Sequence, residues 1–254
     1  MPIINVLTYN LHKGFNRYNR DFVLHRIRQH IRQTDVDIVM LQEIQGEHSL
    51  HESGIDNWPE VSQFEFLADS IWPHYAYGKN AVYRSGHHGN AILSKYNLEE
   101  WNNFNLSRFR RASRSFLHAV VTIEGLGQPL HLVCVHLDLI GFERKRQLKL
   151  LKNYIDTTID SSHPLIIAGD FNDWHGRLGR FLETRFGMQE AMRCLNGSYA
   201  RTFPSHRPFL QMDRIYFRGL QLLKAQCLSR YPWGQLSDHL PLSAGFSLEI
   251  EATA

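Results

Sequence analysis

Cysteine is scarce in this sequence and is not arranged for disulfides or for metal binding. Only Cys134, Cys194 and Cys227 occur in 254 residues, far apart and without a CxxC pair. This spacing predicts neither a disulfide framework nor a thiolate zinc site. Unpaired cysteines are typical of a reducing compartment, so we expect a cytoplasmic protein.

Long apolar runs and flexible linkers are also missing. No stretch approaches the roughly 20 apolar residues that span a bilayer. Residues 1–10 lack the basic start and apolar core of a signal peptide. We therefore expect a soluble protein with no transmembrane segment. Since no linker rich in proline or serine interrupts the chain, we predict a single domain over residues 1–254, and we expect a monomer.

The excess of positive charge is small. The formal net charge is +3, and the sequence pI is near 8.8. Any enzyme that binds phosphate can have this balance, so charge alone does not indicate nucleic acid as the partner.

The apolar residues that are present alternate between strand and helix patterns. The order strand, helix, strand is predicted twice, for residues 3–10, 20–33 and 37–43, and for residues 129–138, 143–159 and 164–172. Between these units, residues 90–96 and a hairpin turning at 125–129 have the pattern of antiparallel strands. Strands and helices interleaved in this way favour an α/β sandwich with mixed sheets.

The segment LIIAGDFNDW, residues 165–174, places polar groups directly after a buried strand. Side chains two apart on a strand point to the same side, so Asp170 and Asn172 could present a pair of oxygens. Such a pair suits a hard cation or a water molecule. A carboxylate after so apolar a run is costly to bury unless it is paired or binds metal.

Other polar residues also follow apolar runs. Taken one at a time, Asn10 and Asp238 are typical of turns, Glu43 of a solvated position and His136 of a core histidine. Together they are unusual, because open α/β sheets place ligands at the carboxyl ends of their strands. The strand-end residues are Asn10, Glu43, His136, Asp170, Asn172, Asp238 and His239.

In this order along the chain, these residues resemble the endonuclease/exonuclease/phosphatase superfamily. That group includes pancreatic deoxyribonuclease, abasic-site endonucleases, neutral sphingomyelinases and inositol-polyphosphate phosphatases. The resemblance runs from residue 4 to about residue 242. The motifs are TYNLH with Asn10, LQE with Glu43, GNAILSK, VHLD with His136, GDFN with Asp170 and Asn172, MDRIYF with Asp213, and SDHLPL with Asp238 and His239.

The resemblance implies a fold, an activity and a metal. The fold is a four-layer α/β sandwich with two central mixed β-sheets flanked by helices. The activity is divalent-metal-dependent hydrolysis of phosphoric esters, with a phosphodiesterase favoured. Mg²⁺ or Mn²⁺ is expected at Glu43 and Asp238, with Asn10 nearby, because such hard ions prefer oxygen ligands.

The resemblance also implies roles for the remaining residues. Asp170 activates or orients the attacking water, and Asn172 positions the phosphate. Asp213 orients His239, which stabilises charge on the phosphoryl oxygens or transfers a proton. Alternation along MDRIYF turns Asp213 to the buried side of a strand, where a histidine partner would offset its burial.

Two positions depart from the abasic-repair branch of the superfamily. That branch has a tyrosine where this chain has His136, the candidate acid for the leaving oxygen, and an acidic metal ligand where it has His12. These departures weaken an assignment to DNA repair, and they leave the number of metal ions open.

Three further segments contain candidate residues. Arginines are frequent in residues 107–115, and the superfamily often has one there. Arg114 is therefore predicted to bind the substrate phosphate, while Arg108, Arg110 and Arg111 are interpreted as solvated. His87 and His88 are expected on a loop near the rim of the site, and Trp174 is a candidate for substrate contact.

The substrate is not specified by these motifs. Nucleic acid, a phospholipid or sphingolipid head group, and a small phosphate are all compatible with them. The alternative to an enzyme is a non-catalytic nucleic-acid-binding module on a nuclease scaffold. A lipid phosphodiesterase acting at a membrane surface is a further possibility, although the sequence patterns reveal no hydrophobic anchor and no strongly basic amphipathic helix.

Overall fold

The computed structural model describes residues 3–108 and 114–248, so Arg110 and Arg111 of the basic segment lie outside the described residues. Within these ranges, no helix is both long and apolar enough to cross a membrane. The helices are α1 (Leu24–Arg32), α2 (Ser49–Gly54), α3 (Gln63–Ala68), α4 (Gly141–Thr158), α5 (Gly179–Phe186), α6 (Ala191–Asn196) and α7 (Trp233–Leu236).

The strands form two six-stranded sheets. The first contains, in spatial order, β11 (Gln221–Cys227), β12 (Leu242–Ser247), β1 (Ile3–Asn10), β2 (Ile38–His48), β4 (Gly86–Ser94) and β3 (His74–Tyr83). The second contains β5 (Leu98–Asn105), β6 (Ser115–Val121), β7 (Leu130–His136), β8 (Leu165–Asp170), β10 (Asp213–Arg218) and β9 (Gln189–Glu190). Strand β2 is parallel to β1, and β8 is parallel to β7, so both sheets are mixed.

Three apolar clusters hold the layers together. One lies between the sheets and includes Ile4 and Met40 from the first sheet and Leu132 and Ile166 from the second. A second packs α1, α3 and α7 on the outer face of the first sheet. A third packs α4 and α5 on the outer face of the second sheet. This arrangement confirms the four-layer α/β sandwich.

Both predicted helices bury one apolar face. In α1 the buried residues are Leu24, Ile27 and Ile31, spaced three and four apart so that they share one face. In α4 the buried apolar residues Leu148, Leu151 and Ile155 follow the same spacing. Each of these helices therefore covers its sheet with one apolar face.

Strand register brings three polar residues to one rung of the second sheet. His136 at the end of β7 is opposite Asp170 at the end of β8. Asp213 at the start of β10 is opposite Asp170 from the other side. The alternation predicted for β10 is only partly right, because Arg214 and Tyr216 on its other face are buried as well. Both faces of this central strand are covered, so burial does not distinguish them.

A row of histidines lies on the second sheet away from this edge. His118 on β6 has Nδ1 2.8 Å from the hydroxyl of Tyr154 and Nε2 2.9 Å from Nδ1 of His131 on β7. Nε2 of His131 lies 3.1 Å from Nδ1 of His163. Burial, together with a neighbouring imidazole, lowers the pKa of both His118 and His131 to about 4.

We expect this row to make the fold sensitive to acid. Below the ordinary histidine pKa of 6.5, the unfolded chain binds protons at His118 and His131 that the folded chain does not bind. Stability is therefore lost as the pH falls from about 6.5 towards about 4, by several kcal/mol for the two groups together. Urea denaturation at both pH values measures this loss.

A double variant, His118→Gln with His131→Gln, should show a smaller loss of stability on acidification. His206→Gln is the matched control, because His206 is an exposed histidine in a loop. An unchanged pH dependence of the unfolding free energy in the double variant would contradict this assignment.

Candidate active site

Asp170 is buried at the end of β8 and is surrounded by polar groups. Its Oδ2 atom lies 3.2 Å from Nδ2 of Asn10, 3.4 Å from Nε2 of His136 and 3.8 Å from Nε2 of His239. Gly169 before it has φ +143°, and a Cβ there would lie 2.0 Å from the carbonyl oxygen of Val135. Glycine is thus required for β8 to approach β7 at the point where Asp170 meets His136.

Asn172 does not share the strand geometry predicted for it. Strand β8 ends at Asp170, and Asn172 has φ +50° in a turn. Its backbone N–H donates to Oδ1 of Asp170 at 2.9 Å, and its side-chain Nδ2 donates to the carbonyl of Leu137 at 2.9 Å. The side chain is therefore placed beside Asp170 by a local turn rather than by strand alternation.

Asp213 and His239 form a buried pair, although 26 residues separate them in sequence. Oδ2 of Asp213 lies 2.9 Å from Nδ1 of His239, and the hydroxyl of Thr202 donates to the same oxygen at 2.5 Å. The other ring nitrogen of His239 faces Asp170. Asp213 therefore fixes the imidazole orientation, as the sequence analysis predicted.

The carboxylates and the imidazole shift one another's pKa values. Burial raises the pKa of Asp170 to about 7, with His239 opposing this shift and Asp213 adding to it. Burial alone would lower the pKa of His239, but Asp213 and the other nearby carboxylates raise it to about 10. At neutral pH His239 is therefore protonated, while Asp170 is close to its midpoint of titration.

His136 and Arg114 are in direct contact. Nη1 of Arg114 lies 2.7 Å from Nε2 of His136. Burial, and then the guanidinium charge, hold the pKa of His136 well below its ordinary value, so the imidazole is neutral. Nε of Arg114 is buried and has no hydrogen-bond partner among the described residues. This free donor next to Asp170 suits a phosphate oxygen.

Glu43 lies near Lys13, which the sequence patterns did not single out, and near His88. Its Oε2 is 3.2 Å from Nζ of Lys13. Burial would raise the pKa of Glu43, but His136, Lys13 and His88 together hold it well below its usual range. The signal for Lys13 is its place three residues after Asn10, in the short 3-10 helix His12–Gly14, whose three residues all have positive φ.

The prediction that His87 and His88 lie on a loop is wrong. Both residues lie on β4, which begins at Gly86 and pairs with β2 and β3. Nδ1 of His87 lies 2.8 Å from the hydroxyl of Tyr77, whereas His88 is close enough to Glu43 to lower its pKa. Adjacent residues on a strand point to opposite faces, so only His88 belongs to the site.

Asp238 and His12 lie on the more open side of the site. Nδ1 of His12 is 3.8 Å from Oδ1 of Asp238. The two segments are tied together because the hydroxyl of Ser237 donates to the carbonyl of Asn10 at 2.8 Å. Asn10 accepts from the backbone N–H of His12 at 3.1 Å. Trp174 is exposed and lies four residues beyond Asp170.

Two groups of side chains have donors suited to a divalent metal. By proximity alone, among the described residues, Asp170, Asp213 and His239 could hold an ion. However, Nδ1 of His239 is already bonded to Asp213, and the nearby carboxylates raise the pKa of the ring, so protonation competes with metal binding at the other nitrogen. The oxygens of Glu43, Asp238 and Asn10 are the better chemical match for Mg²⁺ or Mn²⁺, because Glu43 stays ionised.

Comparisons with known proteins agree with this fold. The model of the endonuclease/exonuclease/phosphatase family matches residues 7–239. The uncharacterized protein YbhP of Escherichia coli (strain K12) is 41% identical over 243 residues, which cover 96% of each chain.

Solved structures show the same fold at lower identity. An endonuclease/exonuclease/phosphatase from Beutenbergia cavernae aligns with TM-score 0.76 and 18% identity, over 97% of this chain and 72% of its own. D. rerio TDP2, complexed with a single-strand DNA product, aligns with TM-score 0.69 and 16% identity, over 96% of this chain and 99% of its own. A mannosyl-6-phosphatase from Bacteroides thetaiotaomicron aligns with TM-score 0.69 and 18% identity, over 96% of this chain and 99% of its own. One of these structures contains a DNA product and another is of a sugar phosphatase, so the fold alone does not specify a substrate.

Proposed function

Since this chain belongs to the endonuclease/exonuclease/phosphatase family, we propose that it is a divalent-metal-dependent hydrolase of phosphoric esters, with a phosphodiester as the favoured substrate. Members of the family hydrolyse phosphoester bonds. The observation that supports the proposal most is the position of Asp170, a buried carboxylate within 4 Å of two histidines and one amide.

Asp170 is suited to act as the general base. A base is most effective when its pKa lies near the working pH, and the pKa of Asp170 is about 7. Its carboxylate would take a proton from a water molecule, whose oxygen then attacks phosphorus. Asn172, held by its bonds to Asp170 and Leu137, would orient the phosphate beside that water.

The cations and imidazoles would then stabilise the charge that develops on the phosphoryl group. Protonated His239 can donate from Nε2, because Asp213 already holds Nδ1. Arg114 adds a fixed positive charge and an unpartnered Nε–H. Neutral His136 can donate a hydrogen bond from its one N–H to the leaving oxygen, whereas the proton that this oxygen gains can come from protonated His239.

A divalent ion would be held by Glu43 and Asp238, with Asn10 beside them. When bound, Mg²⁺ or Mn²⁺ supplies positive charge to the phosphoryl oxygens. The role of Lys13 in the described structure is to neutralise Glu43, which lies 3.2 Å from its ammonium group.

We expect Glu43→Gln to weaken binding of Mg²⁺ or Mn²⁺ by about tenfold or more, because it removes a charged ligand. Isothermal titration with Mn²⁺ measures affinity without any substrate. Hydrolysis by the unaltered protein should also stop in EDTA and return with Mg²⁺.

Glu47→Gln is the matched control, because Glu47 is an exposed glutamate on the same strand, β2. Full turnover in EDTA, or unchanged Mn²⁺ affinity in Glu43→Gln, would remove Glu43 from the metal site.

A screen of substrates in the presence of Mg²⁺ tests the proposed function itself. It should include plasmid DNA, single-stranded RNA, phospholipid, sphingomyelin, inositol phosphates and a chromogenic phosphodiester. Hydrolysis of any of these supports the proposal, and the pattern distinguishes nuclease, lipid phosphodiesterase and phosphatase. Failure to hydrolyse all of them would instead favour a non-catalytic nucleic-acid-binding module.

A further inference from the structure

An exposed apolar segment follows the catalytic end of β7. Leu139, Ile140 and Phe142 are 54%, 51% and 66% exposed, whereas Leu137 just before them is fully buried. Three large apolar side chains within four residues are more than the single exposed residues that protein surfaces usually carry. We call residues 139–142 the apolar segment.

The apolar segment lies beside the site proposed for hydrolysis. His136 and Asp170 are opposite each other on parallel strands, so the chain leaves both strands at the same edge. The apolar segment begins three residues after His136, and Trp174 is four residues after Asp170. Trp174 is 42% exposed, which adds a fourth apolar side chain on the neighbouring loop.

The backbone of the apolar segment is held in place. Oδ1 of Asp138 accepts from the N–H of Ile140 at 2.8 Å. Nη1 of Arg144 donates to the carbonyls of Asp138 and Leu139 at 3.0 and 2.6 Å. The apolar side chains are therefore presented to solvent by a braced turn, and they need no rearrangement to contact another surface.

Exposed cations adjoin the apolar segment, while the acidic groups of this region point inward. A pocket of about 130 Å³ between α4 and the chain before α5 is lined by Lys145, Lys149 and Arg177. Asp138, Glu143 and Asp173 are buried. Exposed cations therefore flank the apolar segment on the side of α4, where Lys145 follows Phe142 by three residues.

We propose that the apolar segment and Trp174 dock the catalytic edge onto an anionic phospholipid bilayer, so that the ester hydrolysed is part of a lipid head group. This inference rests on the proposed function for its substrate, but the docking surface is argued independently of catalysis. Apolar side chains flanked by cations are the composition that binds the boundary between head groups and acyl chains. Nucleic acid fits less well, because Phe142 and Trp174 could stack on bases but the exposed aliphatic side chains of Leu139 and Ile140 could not.

Vesicle sedimentation with the full chain tests the docking surface without substrate turnover. We expect binding to phosphatidylcholine vesicles that contain about 30 mol% phosphatidylglycerol, and weak binding to phosphatidylcholine alone. The triple variant Leu139→Ser, Ile140→Ser, Phe142→Ser should lower the partition coefficient by at least about tenfold. Lys145→Gln and Lys149→Gln should each lower it by roughly fivefold, on the anionic vesicles only.

Leu195→Ser is the matched control, because Leu195 is an exposed leucine on α6, away from the catalytic edge. Circular dichroism and the thermal midpoint show whether each variant is folded. Absence of vesicle binding by the unaltered protein, or equal binding by the folded triple variant, overturns the inference. So does a loss of binding to labelled single-stranded DNA in the triple variant without a loss of vesicle binding.

The failure of this inference can be separated from failure of the proposed function. Turnover of a water-soluble phosphodiester by the unaltered protein without any vesicle binding refutes docking alone. Vesicle binding that depends on the apolar segment supports docking even if no phosphoric ester is hydrolysed, in which case the proposed function is refuted.

Discussion

Replacing Asp170 by asparagine is expected to lower kcat by at least about 100-fold with little change in folding. Asparagine has the same shape, and its carbonyl oxygen can still accept from the N–H of Asn172, which bonds to Asp170 at 2.9 Å. What is lost is the negative charge that removes a proton from water. The carboxylate is buried, so an exposed carboxylate elsewhere on the described surface cannot take over its role.

The measurement is steady-state hydrolysis of whichever substrate the screen identifies, with thermal denaturation as the test of folding. Asp156→Asn is the control, since Asp156 is an exposed carboxylate on α4. If the Asp170 variant is folded and turns over substrate at a near-native rate, the carboxylate at the end of β8 has a structural role.

The second large effect is expected for Asp213 and His239, which should behave as one unit. Asp213 holds Nδ1 of His239 at 2.9 Å and raises the imidazole pKa, so its removal should leave a histidine that is less often protonated and less well oriented. We expect Asp213→Ala and His239→Ala each to lower kcat by about 100-fold or more. The double variant should be scarcely slower than His239→Ala alone.

Independent sites give effects that multiply, whereas groups that act through one another do not. Multiplied losses in the double variant would therefore show that Asp213 has a separate role. Because Asp213 also accepts from Thr202 at 2.5 Å, Thr202→Val serves as a control for loss of one bond to the same carboxylate. Its effect on kcat should be smaller, because the imidazole keeps its partner.

The parts of the fold that could be predicted are those encoded by continuous apolar runs or by apolar residues at helical spacing. The predicted strand at residues 164–172 corresponds to β8, and the predicted helix at 143–159 to α4, because burial on both faces or on one face leaves a clear pattern. The pairing of Asp213 with His239 was predicted on similar grounds, since a carboxylate on a buried strand requires a partner.

Other features could not be predicted because they depend on turns or on neighbouring strands. Asn172 and Lys13 have positive φ, and periodicity contains no information about such residues. The placement of His88 depends on β2 continuing to His48 and pairing with β4 beyond Leu41, where the register shifts. The apolar segment could not be identified from the sequence, because the exposure of a side chain depends on the folded structure and not on the residue types alone.

The pairing of β1 with β12 has a consequence for a chain that is still being synthesised. Ile3 is opposite Ser247, so β1 cannot pair with β12 until nearly the last described residues have been synthesised. His239 precedes β12 by three residues and arrives just before it. An unfinished chain that lacks residues 237–247 would have neither the imidazole nor the closing strand. A ribosome-bound chain should therefore be inert until residues 237–247 have been synthesised, and contacts between residues so far apart in sequence form slowly during folding.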